Sequence, residues 1–369
     1  MNGMKQNMHF YVAVALLATA ATLSSCQQEE TMMGCTPADE SSAQESLVGT
    51  RSDGYPLCTI VTDTLGQVEA KLAAYSEETG IPVAALDKIS IEGPINQTDI
   101  DYLKSLSYVD SLSLEKALFH NAIGTQSNTL PTSCFAWFKS EAAVVLPDHI
   151  TTMGPLCFVR SNIRAIYMDK VQVLQETEEK IKVDGYSDIG YNSPDNITQD
   201  YAGGQFARCP KLKEVKLSGN LSFIPTYMFY LCSALQKIDF PSSLTEIRRG
   251  AYACSGLKEV TMNDNLKALC NESFRGCSSL ERVNGNKKLN SIGYYAFGDC
   301  SKLKSFTFPE SVKELGVCVF YGDENLTEVI WPHTLTTIPR STFCKCTRLK
   351  FTIPDYITSI GDYAFEYCI

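Results

Sequence analysis

From Leu221 onward, apolar side chains recur in a frame set by one aromatic position. That position holds Phe206, Phe229, Tyr252, Phe274, Phe297, Phe320, Phe343 and Phe365, spaced 22 or 23 residues apart. An aliphatic stands eight residues before it (Leu221, Leu244, Leu266, Leu289, Val312, Leu335, Ile357) and another five before it (Ile224, Ile247, Leu269, Ile292, Leu315, Ile338, Ile360). Six after it comes leucine in most copies, nine after it Val215, Ile238, Val283, Phe306 or Val329, and eleven after it Leu217, Phe240, Phe308 or Trp331. The last two positions alternate with polar residues, which predicts a short strand, and Pro241, Pro309 and Pro332 stand where such a strand stops. A unit this small cannot bury its apolar face alone. Stacked copies use one another as core, so the period predicts a solenoid. In the Tyr252 copy Cys254, Leu257, Val260 and Met262 all arrive one residue early, as a block, which is how a true register absorbs a deletion.

Two fainter copies precede these, at Phe135 and Phe158. Between Phe158 and Phe206 lie 48 residues with no aromatic near the midpoint, so one repeat carries an insertion at about 169–205. Further upstream the period changes. Leu65, Val68, Leu72 and Tyr75 predict a helix over Thr62–Thr79, closed by Gly80 and Pro82. A strand follows at Lys88–Ile91, a second helix capped by Asp99 and running to about Leu106, and a strand through Val109, Leu112 and Leu114. This segment is the expected cap that closes the first core layer.

Before the cap, the apolar run Phe10–Leu23 is too short for an ordinary spanning helix and sits where an export signal belongs. Residues after Cys26 are rich in Ser, Glu, Gln and Thr and poor in aromatics, as in a solvated tether. The expected organisation is therefore a signal peptide at 1–25, a disordered tether at 26–56, a small α/β cap at 57–125 and a solenoid at 126–369. Charge narrows the choice of partner. With 32 basic and 42 acidic residues the chain carries −10 and has no block of Lys and Arg, which argues against nucleic acid and anionic membrane surfaces.

Two resemblances add to this reading. Leu23-Ser24-Ser25-Cys26 resembles the lipobox of bacterial lipoproteins, which implies cleavage before Cys26 and lipidation of that residue. Gln27, Gln28, Glu29 and Glu30 resemble the surface-export signal of lipoproteins in Bacteroides-type anaerobes, although an acidic tether has the same composition. Ile292–Pro309 (IGYYAFGDCSKLKSFTFP) resembles the BspA-type leucine-rich repeat, and the match extends from about Leu130 to the end. That resemblance implies an α/β solenoid of about 22–23 residues per repeat, with short parallel strands on one face. It also implies export and adhesion to a host or neighbouring-cell surface or matrix protein, from an outer-membrane lipoprotein exposed at the cell surface.

Fifteen cysteines in an exported chain raise the question of disulfides. Cys209, Cys232, Cys277, Cys300, Cys346 and Cys368 stand three after the aromatic, with Cys254 one earlier and Asp323 filling the place once. Stacked at the strand spacing of about 4.8 Å, they read as an internal ladder of free thiols, with pairing left open because neighbouring Cα atoms would be close enough to bridge. Cys344-Lys345-Cys346 lacks further ligands for a metal. His120, His149 and His333 belong to no His-Glu-x-x-His arrangement, and no nucleophile elbow, phosphate loop or calcium loop is present. No catalytic residue, metal or cofactor is expected.

Two surfaces compete for a partner. One is the sheet face, where Lys216, Asp239 and Arg282 belong to a mixed-charge ladder that also suits mere solubility. The other is the insertion, whose Tyr186, Tyr191 and Tyr201 lie among Gly, Ser, Asn and Asp, a mixture used by antibody loops, unless they pack back on the solenoid. The reading is a lipid-anchored, non-catalytic protein-binding module. A glycan-binding accessory protein and an envelope scaffold are the alternatives, the former disfavoured because most aromatics are assigned to the core.

Overall fold

The computed structural model describes residues 56–177 and 203–368. Cys26, Tyr186, Tyr191 and Tyr201 lie outside these residues, as do the expected signal and nearly all of the expected tether. The first elements are β1 (Cys58–Val61), α1 (Val68–Thr79), β2 (Lys88–Ile95), α2 (Gln97–Ser105) and β3 (Ser111–Phe119). Helix α1 starts six residues later than the apolar pattern predicts. The reason is Asp99, whose carboxylate accepts the amides of Gly66 (2.8 Å) and Val68 (2.9 Å) and fixes the first turn there. Asp99 is not the N-cap of α2. That residue is Asn96, whose side chain accepts the amides of Thr98 and Asp99, while Asp99 takes the amide of Asn96 in return (3.1 Å). One buried carboxylate thus holds the starts of two helices.

Strands β1, β2 and β3 pair in parallel, and the sheet continues through Ala143–Val145, Ala165–Tyr167 and Glu214–Lys216. The opening segment is therefore continuous with the repeat ladder rather than placed over it. Beyond it runs a parallel β-solenoid, about eleven turns in all, with little helix. The strand expected after the aromatic is present as three residues, for example Arg282–Asn284 and Ser305–Thr307. Each turn also carries a two-residue strand five and six before the aromatic. These form a second parallel ladder, unbroken from Phe223–Ile224 through Glu314–Leu315. Its inward residue is the recurring aliphatic five before the aromatic, but two residues are too few to show alternation, so the period marks the position without marking a strand. The first ladder lapses at 237–239, where the backbone forms no strand.

The aromatic position is a spine. Ten rings, from Phe135 to Phe365, stack with successive centroids 4.9–5.8 Å apart and planes within 24°. Phe158 and Phe206 are neighbours in it, at 5.4 Å, despite their separation in sequence. Val171 and Leu174, both buried, fill the places eight and five before the aromatic for the Phe206 turn. Gly203 resumes the turn, its carbonyl accepting the amide of Leu156 (2.8 Å). The insertion thus interrupts the repeat only between Leu174 and Gly203, within the broader span of 169–205 expected from the spacing. Across the break the Gln205 side chain donates to the Gln175 carbonyl (2.8 Å), and Glu176 takes the Thr226 amide (2.6 Å) and pairs with Arg248.

Around each ring the backbone follows one scheme. In the Phe229 turn Tyr227, Phe229 and Leu231 donate their amides to Arg249, Ala251 and Ala253 of the next turn (2.9, 2.7 and 3.0 Å). Met228, Tyr230 and Cys232 donate instead to carbonyls three residues back (all 3.2 Å). Every amide of the segment is satisfied, half locally and half across the stack. The geometry requires left-handed backbone two residues before and two after each spine aromatic. All twenty such positions have φ between +51° and +77°, and sixteen of them are not glycine. Each such side chain costs roughly 1 kcal/mol or more of local strain.

Candidate interaction surfaces

The position three after the aromatic forms the buried polar ladder that the spacing predicts. Cys209 and Cys232 donate Sγ–H to the carbonyls of Phe158 and Phe206 (3.0 Å each), Cys277 and Cys300 to those of Tyr252 and Phe274 (3.1 and 3.2 Å). Ser161 does the same to Phe135 (2.7 Å). Cys254 is not a member. Its backbone is left-handed (φ 54°), the conformation two after the aromatic, and it is disulfide-bonded. Ser255 holds the ladder position, with its amide on the Tyr252 carbonyl (3.0 Å), so the missing residue of this copy falls after Ser255. Twelve other cysteines of the described residues form no disulfide. Burial pushes the Cys232 thiol up to about 12 and the Cys277 thiol to about 11, which keeps both neutral and unreactive at physiological pH.

On the strand face, the three candidate residues are neutralised by neighbours. Lys216 pairs with Asp169 (2.9 Å), Asp239 with Lys237 (3.2 Å) and Arg282 with Glu259 (3.0 Å). Asn284 adds a second hydrogen bond to Glu259 (2.8 Å), and Lys304 pairs with Glu281 one rung on (2.8 Å). The hydrogen bond from Arg282 holds the Glu259 carboxyl below the usual range, and that from Lys304 does the same for Glu281. Lys216 and Asp239 lie on successive turns, Asp239 within the lapse of the ladder, and Arg282 two turns further. They do not converge on one site. Such exposed pairs contribute little energy and offer few anchors.

The turn face differs. It is built from residues immediately around the spine aromatics, at positions the apolar pattern does not mark. Arg249 and Arg275 both reach the buried Glu272 carboxylate (3.2 and 3.4 Å), and Arg275 also pairs with Asp299 (3.3 Å). Tyr294 donates to Glu272 (3.4 Å). The Arg275 guanidinium lies 4.3 Å from the Tyr295 ring centroid, and the Tyr295 and Tyr321 rings are 5.6 Å apart. Arg340 stands over Tyr363 (5.7 Å), whose ring is 48% exposed. Burial lifts the Asp299 carboxyl above its usual range despite Arg275. The side-chain signal was present in the sequence as tyrosines and arginines one to three residues from the spine. It was unreadable because those residues lie in the turns beside the left-handed corners, where no strand alternation marks an outward face, and only Tyr295 and Tyr363 among them are themselves left-handed.

His149 is half-buried near Phe119, with its Nε2 unpartnered, and burial lowers its pKa. His333 contacts Glu310 (3.0 Å) at the surface. Among the described residues, no three His, Cys, Asp or Glu side chains gather as a metal site would require. An open depression of about 500 Å³ is lined by Gly285, Asn286, Lys287, Thr307, Pro309, Glu310 and Ser311.

A model of the BspA type leucine rich repeat region matches in six copies, over residues 88–177, 193–301 and 246–369. The chain belongs to this family. No curated protein matches it. Among solved structures, a leucine rich cell surface protein from Faecalibacterium prausnitzii A2-165 is 15% identical, covering 87% of this chain and 77% of that one, with a TM-score of 0.38. A leucine-rich repeat protein from Bacteroides ovatus ATCC 8483 is 19% identical over 78% and 79% of the two chains (TM-score 0.36). The pneumococcal vaccine antigen PcpA is 18% identical over 74% and 73% (TM-score 0.41). Likenesses at this level assign no function. In this BspA-type chain the match begins at Lys88, the first residue of β2, and so includes strands of the opening segment along with the repeats.

Proposed function

We propose that this BspA-type protein is a non-catalytic module that binds another protein from the bacterial surface, held to the outer membrane by a lipid on Cys26. The observation that carries the binding reading is the turn face. Tyr, Trp and Arg are the residues that dominate protein interfaces, and here the fold turns them outward on successive rungs while the apolar core is met by the spine. The strand face, with its balanced ion pairs, serves solubility. The Leu23–Cys26 sequence supports the anchor, and the acidic residues after it support display outside the cell. The partner is a surface or matrix protein of a host or neighbouring cell. Protease shaving of intact cells tests the reading: the wild type should be cleaved without lysis, and Cys26→Ala should be released from the membrane fraction. A chain protected from protease in intact cells overturns surface display, and a Cys26→Ala variant that stays with the membrane overturns the anchor.

A further inference from the structure

Along the outer corner two residues after each spine aromatic, three successive turns carry Trp137, Arg160 and Arg208, all in left-handed backbone. The Trp137 amide donates to the Val159 carbonyl (3.0 Å) and the Arg160 amide to the Ala207 carbonyl (2.9 Å), which joins the rungs. Trp137 is 42% exposed, and the Arg160 guanidinium carbon sits 4.7 Å from its ring centroid. Neither arginine forms an ion pair with a described residue, and the Nε of each has no acceptor. Glu141 is engaged by Lys211 (3.1 Å).

The same molecule shows how this architecture satisfies arginines when it does so internally. Around Arg249 and Arg275 it interleaves Glu272 and Asp299. At Arg160 and Arg208 the cations occupy adjacent rungs, about 4.8 Å apart along the backbone, and no carboxylate of the described residues stands between them. This is a local concentration of positive charge on a chain of net charge −10. A guanidinium pair of this kind is complementary to a carboxylate, which arginine binds in bidentate fashion. One face of the indole is covered by Arg160, which places the ring beside the cation that would take the carboxylate.

We infer that Trp137, Arg160 and Arg208 form a docking site for a short acidic peptide segment of a protein partner, with a carboxylate bridging the two guanidinium groups beside the indole. The site rests on the protein-binding reading above and names its chemistry. Sequence gave no warning of it, because Arg160 and Arg208 are separated by 48 residues and meet only through the interrupted repeat.

Trp137 provides the readout. The other tryptophan, Trp331, is buried and its Nε1 donates to the Leu335 carbonyl (2.9 Å), so it contributes a constant background. An octaglutamate peptide titrated into the full chain should change the emission saturably, whereas octaglutamine should not. Arg208→Gln should weaken the glutamate response by about tenfold or more, and Arg282→Gln on the strand face should leave it unchanged. Melting curves of both variants verify that the fold is retained. The site is overturned if octaglutamate gives no response, if Arg208→Gln binds as well as wild type, or if Arg282→Gln loses as much. A response to hyaluronan but not to octaglutamate overturns it in favour of a carboxylated glycan. Loss of the site with surface shaving intact leaves the proposed function standing, and the reverse result leaves the peptide site standing alone.

Discussion

Asp323 occupies the ladder position that its neighbours fill with cysteine. It is fully buried, accepts the Cys300 amide on Oδ1 (2.8 Å) and has no partner for Oδ2. Burial drives its carboxyl well above the usual range, and Asp299 adds to the effect, against the opposing hydrogen bond from Cys300. Because the folded pKa exceeds the unfolded value of about 4, the native state holds the proton more tightly. Its stabilising contribution is complete below about pH 4 and is lost as pH rises toward the folded value. Asp323→Asn keeps the acceptor and replaces the ionisable oxygen with a neutral donor. It should raise stability at pH 7 and flatten the dependence above pH 4, measured by urea unfolding at several pH values. An unchanged slope would show that the carboxyl does not titrate there. Phe297, fully buried between the rings of Phe274 and Phe320 (5.6 and 5.8 Å), is the plainest core test. Phe297→Ala should cost about 3–5 kcal/mol through the cavity it leaves.

At the scale of the element, Asp99 joins α1, β2 and α2 through three backbone amides. Asp99→Ala should destabilise by about 2 kcal/mol or more, since each lost cap costs roughly 1 kcal/mol. Circular dichroism should show the loss first in the helical signal, because the solenoid contains little helix to mask it. The aromatic period was legible because a ring that stacks on its own copies tolerates few alternatives, and the strand after it was legible because +9 and +11 alternate. The left-handed pairs were not. Their places are filled by Tyr227, Leu231, Glu272 or Asp299, none of which announces a positive φ in the way glycine does. The spacing alone places Cys254 in the thiol ladder because a one-residue gap in sequence can be set on either side of Cys254-Ser255, and only the backbone hydrogen bond of Ser255 decides between them.

For the described solenoid as a whole, continuity across the insertion is the property to test. Phe158 stacks on Phe206, Ala165–Tyr167 pairs with Glu214–Lys216, and Gln175 bonds Gln205. Removing residues 178–202 and joining the ends with a short Gly-Ser linker should therefore leave the melting temperature within a few degrees of wild type. A large drop would mean that the segment supports the stack. Binding by Tyr186, Tyr191 and Tyr201 and binding at Arg208 separate in the same variant, which should keep its response to octaglutamate. The stack was readable from sequence, but the surface that it assembles was not, since its members come from turns distant in the chain and from positions outside the apolar frame.

The left-handed corners also bear on how such a surface can change over generations. Glycine at each corner would relieve local strain, yet sixteen of twenty carry a side chain. Part of that relief is offset by the greater freedom of glycine in the unfolded chain. Tyr363, exposed and contacted by Arg340, is a suitable place to measure the balance. Tyr363→Gly should leave stability within about 1 kcal/mol of wild type or raise it, because strain relief and chain entropy nearly cancel. Residue identity at exposed corners such as Trp137 and Tyr363 is thus only weakly constrained by folding, so these positions can vary one rung at a time without renegotiating the core, whereas buried corners such as Leu156, Tyr227 and Glu272 cannot.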